Sequence, residues 1–140
     1  MKQRTLVILI AAFMVLGGVI GQPPMVSAGS PQQKGTEHRF RVGKLNSKWT
    51  VHDHKNPQNR IIKAKRGDKV IWSAVGSGIF LNFPDETLFG TDQASAIDGK
   101  EIALTVSPNA KAGTYKYSVF CAKDSVFARG DSPPVIIIEK

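Results

Sequence analysis

Four side chains in this sequence have the chemistry to hold a transition metal or to do redox work. They are Cys121, which is the only cysteine, and the three histidines His38, His52 and His54. A thiolate joined by two imidazoles makes a trigonal copper site, usually with a weak axial methionine. His52 and His54 alone, at i and i+2 with Asp53 between them, would project to one side of an extended segment and could form a surface Cu(II), Ni(II) or Zn(II) site. Two imidazoles hold a metal weakly, so the expected reading of 52–59 (His-Asp-His-Lys-Asn-Pro-Gln-Asn) is a polar loop, with the metal site kept as the alternative. Cys121 has two readings as well. Lys116, Lys123 and Arg129 are near in sequence and would activate a redox thiol. A cysteine that follows Val119 and Phe120 also suits the role of a small buried hydrophobe, which is the reading adopted.

These residues must be positioned by strands. Gly-Thr-Tyr-Lys-Tyr-Ser-Val-Phe-Cys (113–121) alternates, with Tyr115, Tyr117, Val119 and Cys121 on one face. Upstream, 39–42 alternates and 49–51 follows. Ile62 and Ala64 then share a face before the Arg66-Gly67-Asp68 turn, and Val70, Trp72 and Ala74 share one after it. Short apolar runs continue at 79–83 and 101–106, and 134–139 is β-branched throughout its centre, as suits a strand buried on both faces. Residues 91–97 are polar and could form a turn or two of helix. The pattern predicts an all-β, antiparallel Greek-key sandwich or barrel of about seven or eight strands.

The bulk properties frame this domain. The chain has 140 residues and a net charge of +8, enough for one core. Lys2 and Arg4 precede a fifteen-residue apolar run (6–20), breakers follow, and Val26-Ser27-Ala28 ends in small residues. This is the physics of a signal peptide, and the run falls short of the roughly 20 residues of a membrane span. The expected organisation is therefore a signal peptide at 1–28, a flexible leader at 29–36 and a β domain at 37–140, exported to the periplasm or secreted, with no membrane span after cleavage. A single cysteine excludes an intramolecular disulfide even in an oxidising compartment. Between Lys34 and Lys69 there are eleven Lys or Arg against Glu37, Asp53 and Asp68. That half is either a solvated basic face or a surface for an acidic protein or surface partner. The basic residues are interleaved with strand-like segments and match no groove-reading motif, so nucleic acid is not an expected partner.

Three stretches resemble the cupredoxin family, the plastocyanin and azurin type of copper-carrying β-sandwich. They are Ile-Lys-Ala-Lys-Arg-Gly-Asp-Lys-Val-Ile-Trp (62–72), Val-Ser-Pro-Asn-Ala-Lys-Ala-Gly-Thr-Tyr-Lys-Tyr (106–117) and the closing β-branched strand at 135–138. The resemblance implies a cupredoxin-like fold. It also implies where copper ligands would stand, and those positions fail. The family's first histidine falls at Ile79 or Phe80. Its cysteine falls at Val119, and Cys121 is two residues later, about 6.6 Å further along a strand. The stretch 122–134 has neither histidine nor methionine, and the three methionines all lie at or before Met25.

The sequence thus implies no blue-copper site and no cofactor. Copper remains the alternative, in a periplasmic binding or electron-transfer protein using an unusual set from Cys121, His52, His54 and His38. No nucleophile–base motif, phosphate loop or zinc-spaced cysteine cluster is present, so an enzyme is not expected. Phe80, Phe89, Phe120 and Phe127 lie around the segments where the family places its ligands. They would either fill the core or line an apolar pocket or docking patch. The expectation is an exported, non-enzymatic cupredoxin-like domain that serves as a binding or interaction module.

Overall fold

The computed structural model describes residues 34–129 and 133–140. The predicted signal peptide and most of the predicted leader lie outside the described residues. No helix among the described residues is long and apolar enough to cross a membrane.

The strands are β1 (Glu37–Leu45), β2 (Lys48–Asp53), β3 (Ile61–Ala64), β4 (Lys69–Ala74), β5 (Ile79–Asn82), β6 (Gln93–Ala96), β7 (Glu101–Thr105), β8 (Gly113–Lys116), β9 (Ser118–Cys121), β10 (Val126–Phe127) and β11 (Val135–Ile138). They form three sheets, in the orders β2-β1-β4-β7, β10-β9-β5-β6 and β3-β11-β8. Each turn has its own chemistry. Asn46 and Ser47, at φ 50° and 63°, make the two-residue connection between Leu45 and Lys48, the left-handed pair whose twist matches a hairpin. Gly67, at φ 85°, closes the turn in which Asp68 N–H donates to the Lys65 carbonyl at 3.0 Å, a backbone conformation that glycine adopts without a Cβ clash.

The pairing is mixed. β1 runs parallel to β4 and β11 parallel to β3, where period-two patterning alone suggested antiparallel strands throughout. Strand polarity is a property of the connections, and alternation does not record it. The strand count among the described residues exceeds seven or eight because β6 and β10 form in stretches not read as strands and because 113–121 is split. β8 pairs with β11, Tyr117 N–H reaches the Pro134 carbonyl at 3.1 Å, and β9 continues on β5. One run thus turns the corner from one sheet to the next.

Other local expectations shift. Residues 93–96 form β6 against β5 where a helical turn was allowed, and the short helix is a 3-10 turn at Glu86–Leu88, capped by the Asp85 carboxylate accepting from Thr87 N–H. His52 and Asp53 belong to β2 rather than to the loop. Thr36, assigned to the leader, is already held: its N–H donates to Asp68 Oδ1 at 2.8 Å and its carbonyl accepts from Lys69 N–H. The closing strand buries Ile136 and Ile138, while Val135 and Ile137 on its other face stay partly exposed.

The core takes one face from each sheet. Val42, Val51, Ile62, Val70, Trp72, Leu81, Val119 and Ile136 are among its buried members. At its aromatic centre Trp72 packs on Phe83, Phe89 and Tyr117 at centroid distances of 5.8, 5.7 and 5.9 Å. The indole Nε1–H donates to the Tyr117 hydroxyl at 3.1 Å, inside the core.

Candidate functional site

The segment that a metal site would need is built from hydrocarbon. β5 and β9 pair with Leu81 opposite Val119 and Ile79 opposite Cys121, and all four side chains are buried. Val119 and Ile79 occupy positions where the family resemblance places a thiolate and an imidazole. Phe80, the other candidate for the imidazole position, points the opposite way and is 54% exposed. None of these offers a nitrogen or sulfur donor, so the residues present do not fit copper there.

Cys121 follows on the inner face as an extension of the strand. Beyond it the chain turns at 122–125, with Ser125 at φ 52°, and returns as β10, pairing Val126 with Cys121 and Phe127 with Phe120. Ala128 N–H donates to the Val119 carbonyl at 2.7 Å. A hairpin thus stands where the resemblance would put a ligand loop. Burial, and then the negative charge of Asp124, push the Cys121 thiol up to about 11. It is protonated at neutral pH, and the nearby lysines do not activate it.

The histidines are separately engaged. His38 Nε2 lies 2.9 Å from Asp68 Oδ2 at the start of β1. His52 is buried on β2, with Nδ1 3.2 Å from the Thr50 hydroxyl. Burial, and then the charges of Arg41 and Arg60, hold its imidazole below the ordinary histidine range. His54, past the strand end, has Nδ1 3.3 Å from an Arg41 guanidinium nitrogen. His52 is enclosed while His54 is not, so the i, i+2 pair does not present two free imidazoles. Among the described residues no three His, Cys, Asp or Glu side chains gather in a metal-holding group.

The aromatic residues are brought together differently. Phe127 pairs with Phe120, Phe120 with Phe80 and Phe80 with Ser95. Paired residues share a face, so the three rings form a row straight across β10, β9 and β5 on the outer side of the sheet. Centroids are 6.4 Å apart for Phe80–Phe120 and 5.4 Å for Phe120–Phe127. Phe127 is 49% exposed. The adjacent row is polar, Ser118–Asn82–Gln93, and the rings and this row border a depression of about 400 Å³. Phe89 is not part of the row. It packs into the core, 4.9 Å from Phe83, because the 3-10 turn before it directs the ring inward onto Trp72. Sequence reading could not separate Phe89 from the others without the β5–β9 register.

The fold is an all-β sandwich of mixed strand pairing. No protein-family model and no curated protein matches the chain. Among solved structures it is similar to a pseudoazurin from Sinorhizobium, at 20% identity over 75% of each chain and a TM-score of 0.46. It is similar also to a reduced Cu(I) form of an amicyanin variant, at 18% identity over 72% of this chain and 80% of that one, with a TM-score of 0.43. A further reduced amicyanin variant matches at 14% identity over 76% and 84%, TM-score 0.44.

Proposed function

We propose that this chain is an exported, non-enzymatic cupredoxin-like domain that lacks a blue-copper site and docks an acidic partner protein through the Phe80–Phe120–Phe127 row. The observation that carries this reading is the row itself. Apolar aromatics in register on a solvent-facing sheet, bordered by a polar row, have the composition of a protein-interface centre. The rings meet at 53° and 69°, so they make no flat platform on which a sugar or base would stack. Irregular aromatic knobs of this kind suit the pockets of another protein. An acidic partner is favoured over a second copy because the chain, +8 in full and +6 once Lys2 and Arg4 leave with residues 1–28, stays basic, and like net charges oppose self-association. Export is supported by the charged, apolar and small-residue segments of the first 28 residues.

The test is site-specific photo-crosslinking in intact cells, with the photoreactive residue at Ser95 or Ser118 beside the row. A discrete acidic product, absent in Phe80→Ser/Phe120→Ser and reproduced with the purified partner, is expected. A product that survives the double substitution, or that is a dimer of this chain, overturns the docking assignment. A blue charge-transfer band in the copper-loaded protein that disappears in Cys121→Ala would overturn the metal-free reading.

A further inference from the structure

The row taken as the docking site has a shape that selects what docks there. Between Phe80, Phe120 and Phe127 are two clefts, and half the ring-to-ring path places them about 6 Å apart. On the same face, two residues along each strand, runs the polar row Ser118–Asn82–Gln93. Asn82 and Gln93 are exposed and Ser118 is half-buried. None of these three side chains bonds to another described residue, so their donors and acceptors are met by solvent. At the β10 end stands Arg129, exposed, with its guanidinium carbon 5.8 Å from the Phe127 ring centroid.

We infer that the docked element is an extended segment of the acidic partner, laid across the strands, with apolar side chains at i and i+2 in the two clefts and a carboxylate two residues further on, against Arg129. The inference rests on the docking reading and goes beyond it by naming the segment. Alternate residues of an extended chain rise about 6–7 Å, which matches the spacing of the clefts. A helix can set residues i and i+4 at a similar spacing, but its backbone groups are bonded within it. An extended backbone is not so satisfied, and the Asn82 and Gln93 amides offer it both donors and acceptors. A helix about 10–12 Å across is also wider than the strip between the two rows, which are about 7 Å apart. Strand addition is disfavoured at this edge, where β10 is only two residues long.

The experiment is an amide chemical-shift titration of the full chain with synthetic peptides. The probes are acetyl-Glu-Thr-Val-Thr-Val-amide and its reversed order, a Glu-Thr-Thr-Val-Val control of the same composition, a version with Gln for Glu, and a helical peptide with valines at i and i+4. Saturable shifts at Phe80, Ser95, Ser118 and Phe120 are expected for one chain direction. The control should bind about tenfold more weakly, as for loss of one apolar side chain from its cleft. The Gln version should bind about two- to fivefold more weakly, as for loss of an exposed ion pair, and Arg129→Gln should erase that difference. Phe80→Ser/Phe120→Ser should abolish binding. The inference is overturned by no saturable shift in either direction, by a control, Gln or helical peptide that binds as tightly, or by binding that survives the double substitution. A discrete crosslinked partner together with any of these outcomes leaves the docking row standing and removes only the extended segment, so the two failures are distinguishable.

Discussion

Replacing Tyr117 by Phe tests whether the aromatic centre is held by a specific hydrogen bond or by packing alone. The substitution keeps the ring, and with it the stacking on Phe83 at 5.7 Å and 28°, and removes only the hydroxyl. Trp72 is fully buried, and its Nε1–H donates to that hydroxyl across a separation of 45 residues. Without it the indole N–H is left in the core without its acceptor, and the expected loss is about 1–3 kcal/mol. At about 2 kcal/mol the melting temperature of a domain this size falls by roughly 10 °C. Urea unfolding followed by tryptophan fluorescence should show a lower midpoint at unchanged slope. Trp72→Phe combined with Tyr117→Phe should lose less than the sum of the two, by about 0.5 kcal/mol or more. Burial, opposed by the Trp72 hydrogen bond, also raises the Tyr117 hydroxyl far above the ordinary tyrosine value. Its contribution to stability is therefore complete below a pH of about 10, and is lost above it as the unfolded tyrosine ionises. That alkaline decline should be smaller in Tyr117→Phe. A loss under about 0.5 kcal/mol, or strict additivity in the double substitution, refutes the hydrogen bond as a stabilising contact.

Three further outcomes follow from the same geometry. Folded protein at pH 8 should leave Cys121 unreacted with a thiol reagent until it unfolds, since the thiol is buried and titrates at about 11; immediate titration of one thiol per chain would contradict this. Stability should fall on acidification in two stages. The first comes below a pH of about 6.5, as the depressed His52 imidazole takes up its proton more readily in the unfolded chain. The second comes in the carboxylate range, because burial of Asp68 is outweighed by hydrogen bonds from His38, Lys65 N–H and Thr36 N–H, which hold its pKa below the ordinary value. Denaturant midpoints against pH for His52→Gln and Asp68→Asn should each flatten one stage. Phe80→Ser/Phe120→Ser should change unfolding free energy by no more than about 1 kcal/mol, because Phe80 is largely in solvent and Phe120 lies on the outer face; a loss of several kcal/mol would make these rings core and not surface.

What sequence patterning made legible was the inner face of each strand. Ile62 with Ala64, Val70 with Trp72, and Tyr117 with Val119 and Cys121 all turn inward, because one hydrophobic face buried against a core leaves a period of two in the sequence. The Gly67 turn was legible for the same local reason. Sheet membership was not. Nothing within 113–121 marks Tyr117 as the point where the strand exchanges β11 for β5, since that switch depends on Pro134 arriving from the far end of the chain. The parallel partners of β1 and β11 are also set by crossovers. For the site, the hydrocarbon at Ile79 and Val119 could be read from spacing against a family pattern. The separation of His52 from His54 could not, because β2 runs one residue past His52 and buries it.

The two faces of the β5–β9 pair differ in how they follow the binary pattern of a sandwich. The inner face carries Ile79, Leu81, Val119 and Cys121, four buried apolar groups that obey the binary pattern of a sandwich, and the cysteine among them behaves as one more hydrophobe. The outer face carries Phe80, Asn82, Ser118 and Phe120, and it breaks the pattern, since a solvent-facing sheet with no burden of binding would place polar groups at all four. Those two rings take no part in the aromatic centre of the core, where Trp72, Phe83, Phe89 and Tyr117 pack together. Cross-strand aromatic pairs on an exposed face add only about 0.2–1 kcal/mol to the fold they sit on, and local departures from foldability rules concentrate where a protein meets something else. The chemistry worth pursuing in this chain therefore lies on the opposite side of β9 from its only thiol.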